Sequence, residues 1–155
     1  MPENSKKMTN LRQIARPQVD VLAYDGLCTF EFGVAVEIFG LPRPELGDEW
    51  YRFAVASVDS GELRATGGIR IVTDGDLRLL ASADLIVVPG WRGLDSPVPD
   101  ALCEALRQAS ARGCRLLCIC SGVFVLAATG LLNGRKATTH WRYIDALKAR
   151  YPDID

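Results

Sequence analysis

The segment Leu116-Leu117-Cys118-Ile119-Cys120-Ser121-Gly122-Val123-Phe124 runs an apolar strand pattern straight into an apolar helical pattern, with no loop between. Cys120 stands at that junction. A strand that turns at once into a helix points one side chain out over the strand ends, which is the geometry of a nucleophile elbow. Gly122 leaves room for the turn, whereas Cys118 stands where the G-x-S-x-G pattern has its first glycine, so the match is partial. A thiol at a helix N-terminus meets the positive end of the helix dipole, which predicts a lowered pKa. The Ser121 amide is placed to donate to an oxyanion. Pro89-Gly90-Trp91-Arg92-Gly93 leaves a neighbouring strand at the same end and is expected to offer a second donor.

His140 is the only histidine. An imidazole can take the thiol proton and hold the thiolate as an ion pair, although an isolated histidine after Thr138-Thr139 also fits a surface position. Glu31 opens the first helix at a strand C-terminal end. It is either a proton carrier or simply a favourable charge at a helix start, and Glu37, further along, is less suited. The remaining cysteines, Cys28, Cys103, Cys114 and Cys118, are expected to be small core hydrophobes. A zinc site from Cys114, Cys118, Cys120 and His140 has the wrong spacing, so neither metal nor cofactor is expected.

These residues need a frame. The chain has 155 residues, 48% hydrophobic and 24% charged, which suits one globular domain. A net charge of -1 gives no basic field for nucleic acid or an anionic membrane. Five cysteines in mostly apolar surroundings point to reduced thiols in the cytoplasm. Residues 1–16 lack an apolar signal core and are expected to be a disordered lead-in, with Met8 an alternative start; 17–155 form the domain.

Strands are predicted at Val19–Tyr24, Trp50–Val58, Ile69–Val72, Leu85–Val88, Arg115–Ile119 and Lys136–Thr139. Helices are predicted over Glu31–Phe39, Asp100–Arg112, Val123–Thr129 and Arg142–Arg150. The wholly apolar run at 85–88 reads as a central strand buried on both faces, and 115–119 as another buried strand. The order β-α-β-β-β-α-β-α-β-α predicts an α/β domain with a mainly parallel sheet sandwiched by helices. Ending just after a helix at Asp155, the chain is expected to lack a closing element and to be a fragment of something longer.

Ile119-Cys120-Ser121-Gly122, then Leu126-Ala127-Ala128-Thr129-Gly130-Leu131-Leu132, then Ala137-Thr138-Thr139-His140-Trp141 resemble the ThiJ/PfpI (class I glutamine amidotransferase-like) superfamily, from about Val19 to Tyr151. The resemblance implies a flavodoxin-like fold. It implies Cys120 as nucleophile, His140 near it, and Glu31 hydrogen-bonding the thiolate, with Gly90 and Ser121 at the oxyanion loops. Within the superfamily, Pro89–Gly93 and Arg135–Trp141 most resemble the domain N-terminal to the helix-turn-helix pair of AraC/XylS-type transcriptional regulators of the GlxA and FtrA kind. Isocyanide hydratases are the nearest enzymes in pattern. Trp91 replaces a glycine common in relatives, so its ring is expected to narrow or cap a ligand pocket formed with Gly90 and Ser121. The resemblance implies a homodimer that senses a small molecule or oxidant. DNA binding is implied only through a region outside this chain. A stand-alone cysteine-dependent hydratase or amidase is the alternative, and a dimerisation module with a relic pocket the third.

Overall fold

The computed structural model describes residues 16–155. The expected lead-in, Met8 included, therefore lies outside the described residues except for Arg16. β1 (Gln18–Ala23), β2 (Arg52–Ser57), β5 (Gly75–Asp76), β6 (Leu85–Pro89) and β7 (Arg115–Ile119) form one parallel sheet in the order β5-β2-β1-β6-β7. β3 (Leu63–Arg64) and β4 (Arg70–Ile71) form a separate antiparallel pair. Helices α1 (Thr29–Ala35), α2 (Asp100–Ala111), α3 (Val123–Ala128) and α4 (Ile144–Arg150) complete the α/β arrangement. α1 continues into a π turn over Val36–Gly40.

β1 and β6 lie side by side inside the sheet, and their apolar runs explain why. Val19, Val21, Leu22, Ile86, Val87 and Val88 are all fully buried. Their side chains alternate between two clusters. Leu22, Ile86 and Val88 pack with Leu102, Leu106 and Ala109 of α2, whereas Val19, Val21 and Val87 pack with Ala35 of α1. The sheet is thus covered on both faces, as parallel strands require. The order in which strands are added reverses between β1 and β6, which opens a crevice at the carboxyl ends of these strands.

Two expectations are corrected. β7 is an edge strand, not a buried one: Leu117 is 40% exposed, because no further strand pairs beyond it among the described residues. Residues 136–139 form no sheet strand. Their neighbourhood instead bonds to the last residues, Gly134 N–H to the Asp153 carbonyl, Asp155 N–H to Arg135 and Ala137 N–H to Asp155. α2 follows its pattern, with Leu102, Cys103, Leu106 and Ala109 buried, and Gly113 at φ +88° terminates it.

One buried acid lies within the sheet. Asp20, in mid-β1, is 1% exposed and accepts from Gln18 Nε2, while its Oδ2 has no partner. Burial raises its pKa above the ordinary carboxyl value, outweighing the Gln18 hydrogen bond and Arg52. A raised folded-state pKa means that Asp20 favours folding below the unfolded carboxylate pKa, and that this contribution is lost as pH rises through the folded value. Asp20→Asn is expected to be more stable than the parent by about 1 kcal/mol at neutral pH. The gap should close in acid, as read by urea denaturation across pH.

Candidate active site

The β6–β7 register pairs Val88 with Cys118 and Pro89 with Ile119, so Gly90 and Cys120 leave the sheet side by side. A single 3₁₀ turn, Cys120–Gly122, joins β7 to α3. Cys120 has φ +56°, the one non-glycine residue with positive φ among those described. This conformation costs a side-chain-bearing residue about 1–2 kcal/mol. The Thr139 hydroxyl donates to the Cys120 carbonyl at 2.9 Å and fixes the turn from the other side.

The Cys120 thiol faces an open cleft of about 440 Å³ whose lining includes Phe30, Glu31, Thr138, Thr139 and His140. The Glu31 carboxyl meets two thiols, Cys120 and Cys28, and its Oε2 is buried with no well-aligned donor. Burial acts to raise the Glu31 pKa. Hydrogen bonds from Cys28, the Glu31 amide and Cys120, with the charge of His140, together hold it below the ordinary carboxyl value. The Cys120 thiol is pushed up, first by burial and then by the Glu31 carboxylate, against a smaller opposing pull from the Ser121 amide. This differs from the lowered value expected from the helix dipole. α3 is short, and a carboxylate in contact outweighs it. The shared proton therefore rests on sulfur in this state.

Glu31→Gln removes that anion and is expected to shift the pH profile of Cys120 alkylation to lower pH, raising the neutral-pH rate several-fold. An unchanged profile would mean that Glu31 does not set the thiol's protonation.

His140 reaches the same cleft, but its Nδ1 accepts from the Arg142 amide at 3.3 Å. With Nδ1 the acceptor, the N–H donor of the ring is Nε2. Its ring lies against Trp141 and Tyr143. Nδ1 of His140 is thus already engaged, and the carboxyl that acts on the Cys120 thiol is that of Glu31.

The β6–α2 loop is held tightly. Gly90, at φ +92°, donates its N–H to the Val88 carbonyl at 3.0 Å. The Trp91 N–H donates to Ser121 Oγ at 2.9 Å. Trp91 is 7% exposed; its ring lies tilted against that of Tyr24 at 5.0 Å and donates its Nε1–H to the Ser96 carbonyl. It lines a different cavity, with Leu94, Pro97, Phe124 and Tyr151, and not the Cys120 cleft. Tyr24, buried, donates its hydroxyl to Pro89 O at 3.1 Å, and burial raises its pKa strongly.

Cys28, expected as a small core hydrophobe, is instead exposed at the N-cap position of α1. Its place three residues before Glu31, in the first turn, was the available signal. Asp59 and Tyr24 were also missed. They brace the site from strands β1 and β2, and no motif marks them.

The DJ-1/PfpI family profile matches residues 18–154. The chain belongs to the DJ-1/PfpI family. Among DJ-1/PfpI relatives, it is 36% identical over 136 residues to an uncharacterized protein from the cpoL 5′ region of Streptomyces lividans, covering 87% of this chain and 95% of that protein. It is 42% identical over 105 residues to the HTH-type transcriptional regulator CdhR of Pseudomonas aeruginosa, covering 67% of this chain but only 31% of the regulator. An isonitrile hydratase of Pseudomonas putida is 40% identical over 65 residues, covering 41% and 28% respectively. An AraC family transcriptional regulator structure from Pseudomonas putida superposes with a TM-score of 0.71 at 23% identity, covering 89% of this chain and 74% of that one. That likeness establishes the mainly parallel DJ-1/PfpI fold. Among the described residues no helix is long and apolar enough to cross a membrane.

Proposed function

We propose that this chain is the sensing domain of an AraC-type transcriptional regulator, in which Cys120 registers a small electrophile or oxidant. The regulator would be cytoplasmic and homodimeric, and would contact DNA through a helix-turn-helix region outside this chain. The observation that carries this reading is the state of the β6–α2 loop amides. Acyl or imidoyl turnover needs preorganised donors for the developing negative charge. Gly90 N–H is engaged by Val88 and Trp91 N–H by Ser121 Oγ, which leaves Ser121 N–H beside the sulfur. Such a site can form an adduct at Cys120 but is poorly equipped to release it. The likeness to the regulator CdhR supports the same reading.

The alternative is a hydratase resembling the isonitrile hydratase relative. It is favoured by the Cys120–Glu31 contact, which pairs a nucleophile with a proton carrier. The two separate on turnover. With excess alkyl isocyanide, the purified chain is expected to consume at most one equivalent per Cys120. Sustained multiple turnover that disappears in Cys120→Ala would overturn the sensor.

A further inference from the structure

The cavity that Trp91 lines is separate from the Cys120 cleft and measures about 340 Å³. The geometry points to a binding site there for a small aromatic monocarboxylate, with Arg150 holding the carboxylate and Trp91, Phe124 and Tyr151 holding the ring. This goes beyond the sensing role proposed for Cys120 and does not depend on it.

Three parts of the chain build this cavity. The loop after β6 supplies Trp91, Leu94 and Asp95, α3 supplies Phe124, and the end of α4 supplies Arg150 and the following Tyr151. Its aromatic walls are already fixed. Phe124 is buried in a cluster with Val123, Ala127 and Leu147, and the Tyr151 ring meets it edge-on at 6.4 Å. Trp91 is held at both ends, by its Nε1–H on the Ser96 carbonyl at 3.0 Å and its main-chain N–H on Ser121 Oγ at 2.9 Å. Rings held in place offer edge and face contacts to a planar ligand without the cost of ordering them. The volume is that of a small-molecule pocket, with apolar walls and few polar groups.

The sign of the ligand follows from one ion pair. Arg150, the last residue of α4, donates to the Leu94 carbonyl and to the Asp95 carboxylate. The two partners are unequally placed: the Asp95 side chain is 95% exposed and that of Arg150 40%. The carboxylate can turn into water at little cost, because so exposed a pair contributes little. The guanidinium stays at the cavity, still held by Leu94. A ligand carboxylate then takes the place of Asp95 on the same guanidinium, in the forked geometry that such pairs favour, while its ring displaces water from the aromatic walls. A cationic ligand would face that guanidinium unscreened. The Cys120 cleft selects differently, since its lining holds the Glu31 carboxyl and neither arginine nor lysine.

The test titrates the isotope-labelled, purified chain with phenylacetate and, separately, with its uncharged amide, phenylacetamide, followed by amide and indole N–H chemical shifts. Phenylacetate is expected to give saturable shifts at the Trp91 indole, Leu94 to Ser96, Ala128 and Tyr151. Phenylacetamide should bind about ten-fold more weakly, having lost the charge-assisted hydrogen bonds. Arg150→Gln should weaken phenylacetate about ten-fold and bring the two ligands level. Asp95→Asn, which removes the competing carboxylate, should bind phenylacetate at least as tightly as the parent. Absence of saturable shifts up to about 20 mM, equal affinity for acid and amide, or an unchanged affinity in Arg150→Gln would overturn the assignment. So would shifts centred on Phe30, Thr138 and His140, which would place the ligand in the Cys120 cleft. None of these outcomes reads the reactivity of Cys120, so failure here leaves the sensing role standing.

Discussion

Replacing Gly122 by alanine is expected to cost about 3 kcal/mol or more and to dislodge the Cys120 turn. Gly122 has ordinary helical dihedrals, so the requirement is for space and not for backbone freedom. A Cβ there would lie 2.3 Å from the Val88 carbonyl oxygen and 3.1 Å from the Gly90 nitrogen. Both are main-chain atoms at the end of the buried strand β6, which cannot rotate away as a side chain can. Either α3 lifts off the sheet or β6 is pushed aside, and each exposes core residues such as Val123 and Val88. The change should appear as a lower denaturation midpoint at unchanged slope, together with loss of the Cys120 pH profile. A variant of full stability would show that the α3–β6 approach is looser than the structure has it.

Asp59→Ala is expected to cost about 2 kcal/mol and to loosen the loops around the cleft together. Asp59 follows β2 and accepts from the Asp25 amide at 2.9 Å and from both Arg92 terminal nitrogens at 2.8 and 3.2 Å. One carboxylate thus joins the ends of β1, β2 and β6. The Arg92 guanidinium lies over the rings of Trp91 at 4.6 Å and Tyr24 at 5.6 Å, and its Nε is buried without a partner. Both members are about one-quarter exposed, so solvent screens part of their attraction. Most of the cost comes from leaving the cation partly buried and unpaired. Faster hydrogen exchange over residues 25–28 and 90–96 should accompany the lost stability. Asp59→Asn, which keeps an acceptor, should lose less, and equal losses from both would assign the effect to charge alone.

Much of this site can be read from the chain because its parts follow local rules. The apolar runs at 19–23 and 85–88 are strands buried on both faces, and the abrupt change of period at Cys120 marks the turn. Where the reading failed, tertiary context decided. β7 reads as a buried strand because Leu116 to Ile119 are apolar, but nothing in its own residues says that it lies at an edge. Residues 136–139 look like a strand by composition, yet that stretch pairs with the end of the chain. Cys28 resembles its buried counterparts in type, and only the placement of Glu31 distinguishes it. The thiol's upward pKa shift comes first from burial and then from Glu31, 89 positions away in sequence, and the helix-dipole rule cannot see either. The engagement of the Gly90 and Trp91 amides is likewise visible only once β6 and β7 are in register.

The left-handed conformation of Cys120 has a practical consequence for protein engineering. Glycine accepts that backbone without penalty, so a screen that rewards heat resistance alone would enrich glycine at position 120 and discard the sulfur. Stabilised versions of this domain should therefore be sorted by thiol chemistry before they are sorted by melting temperature.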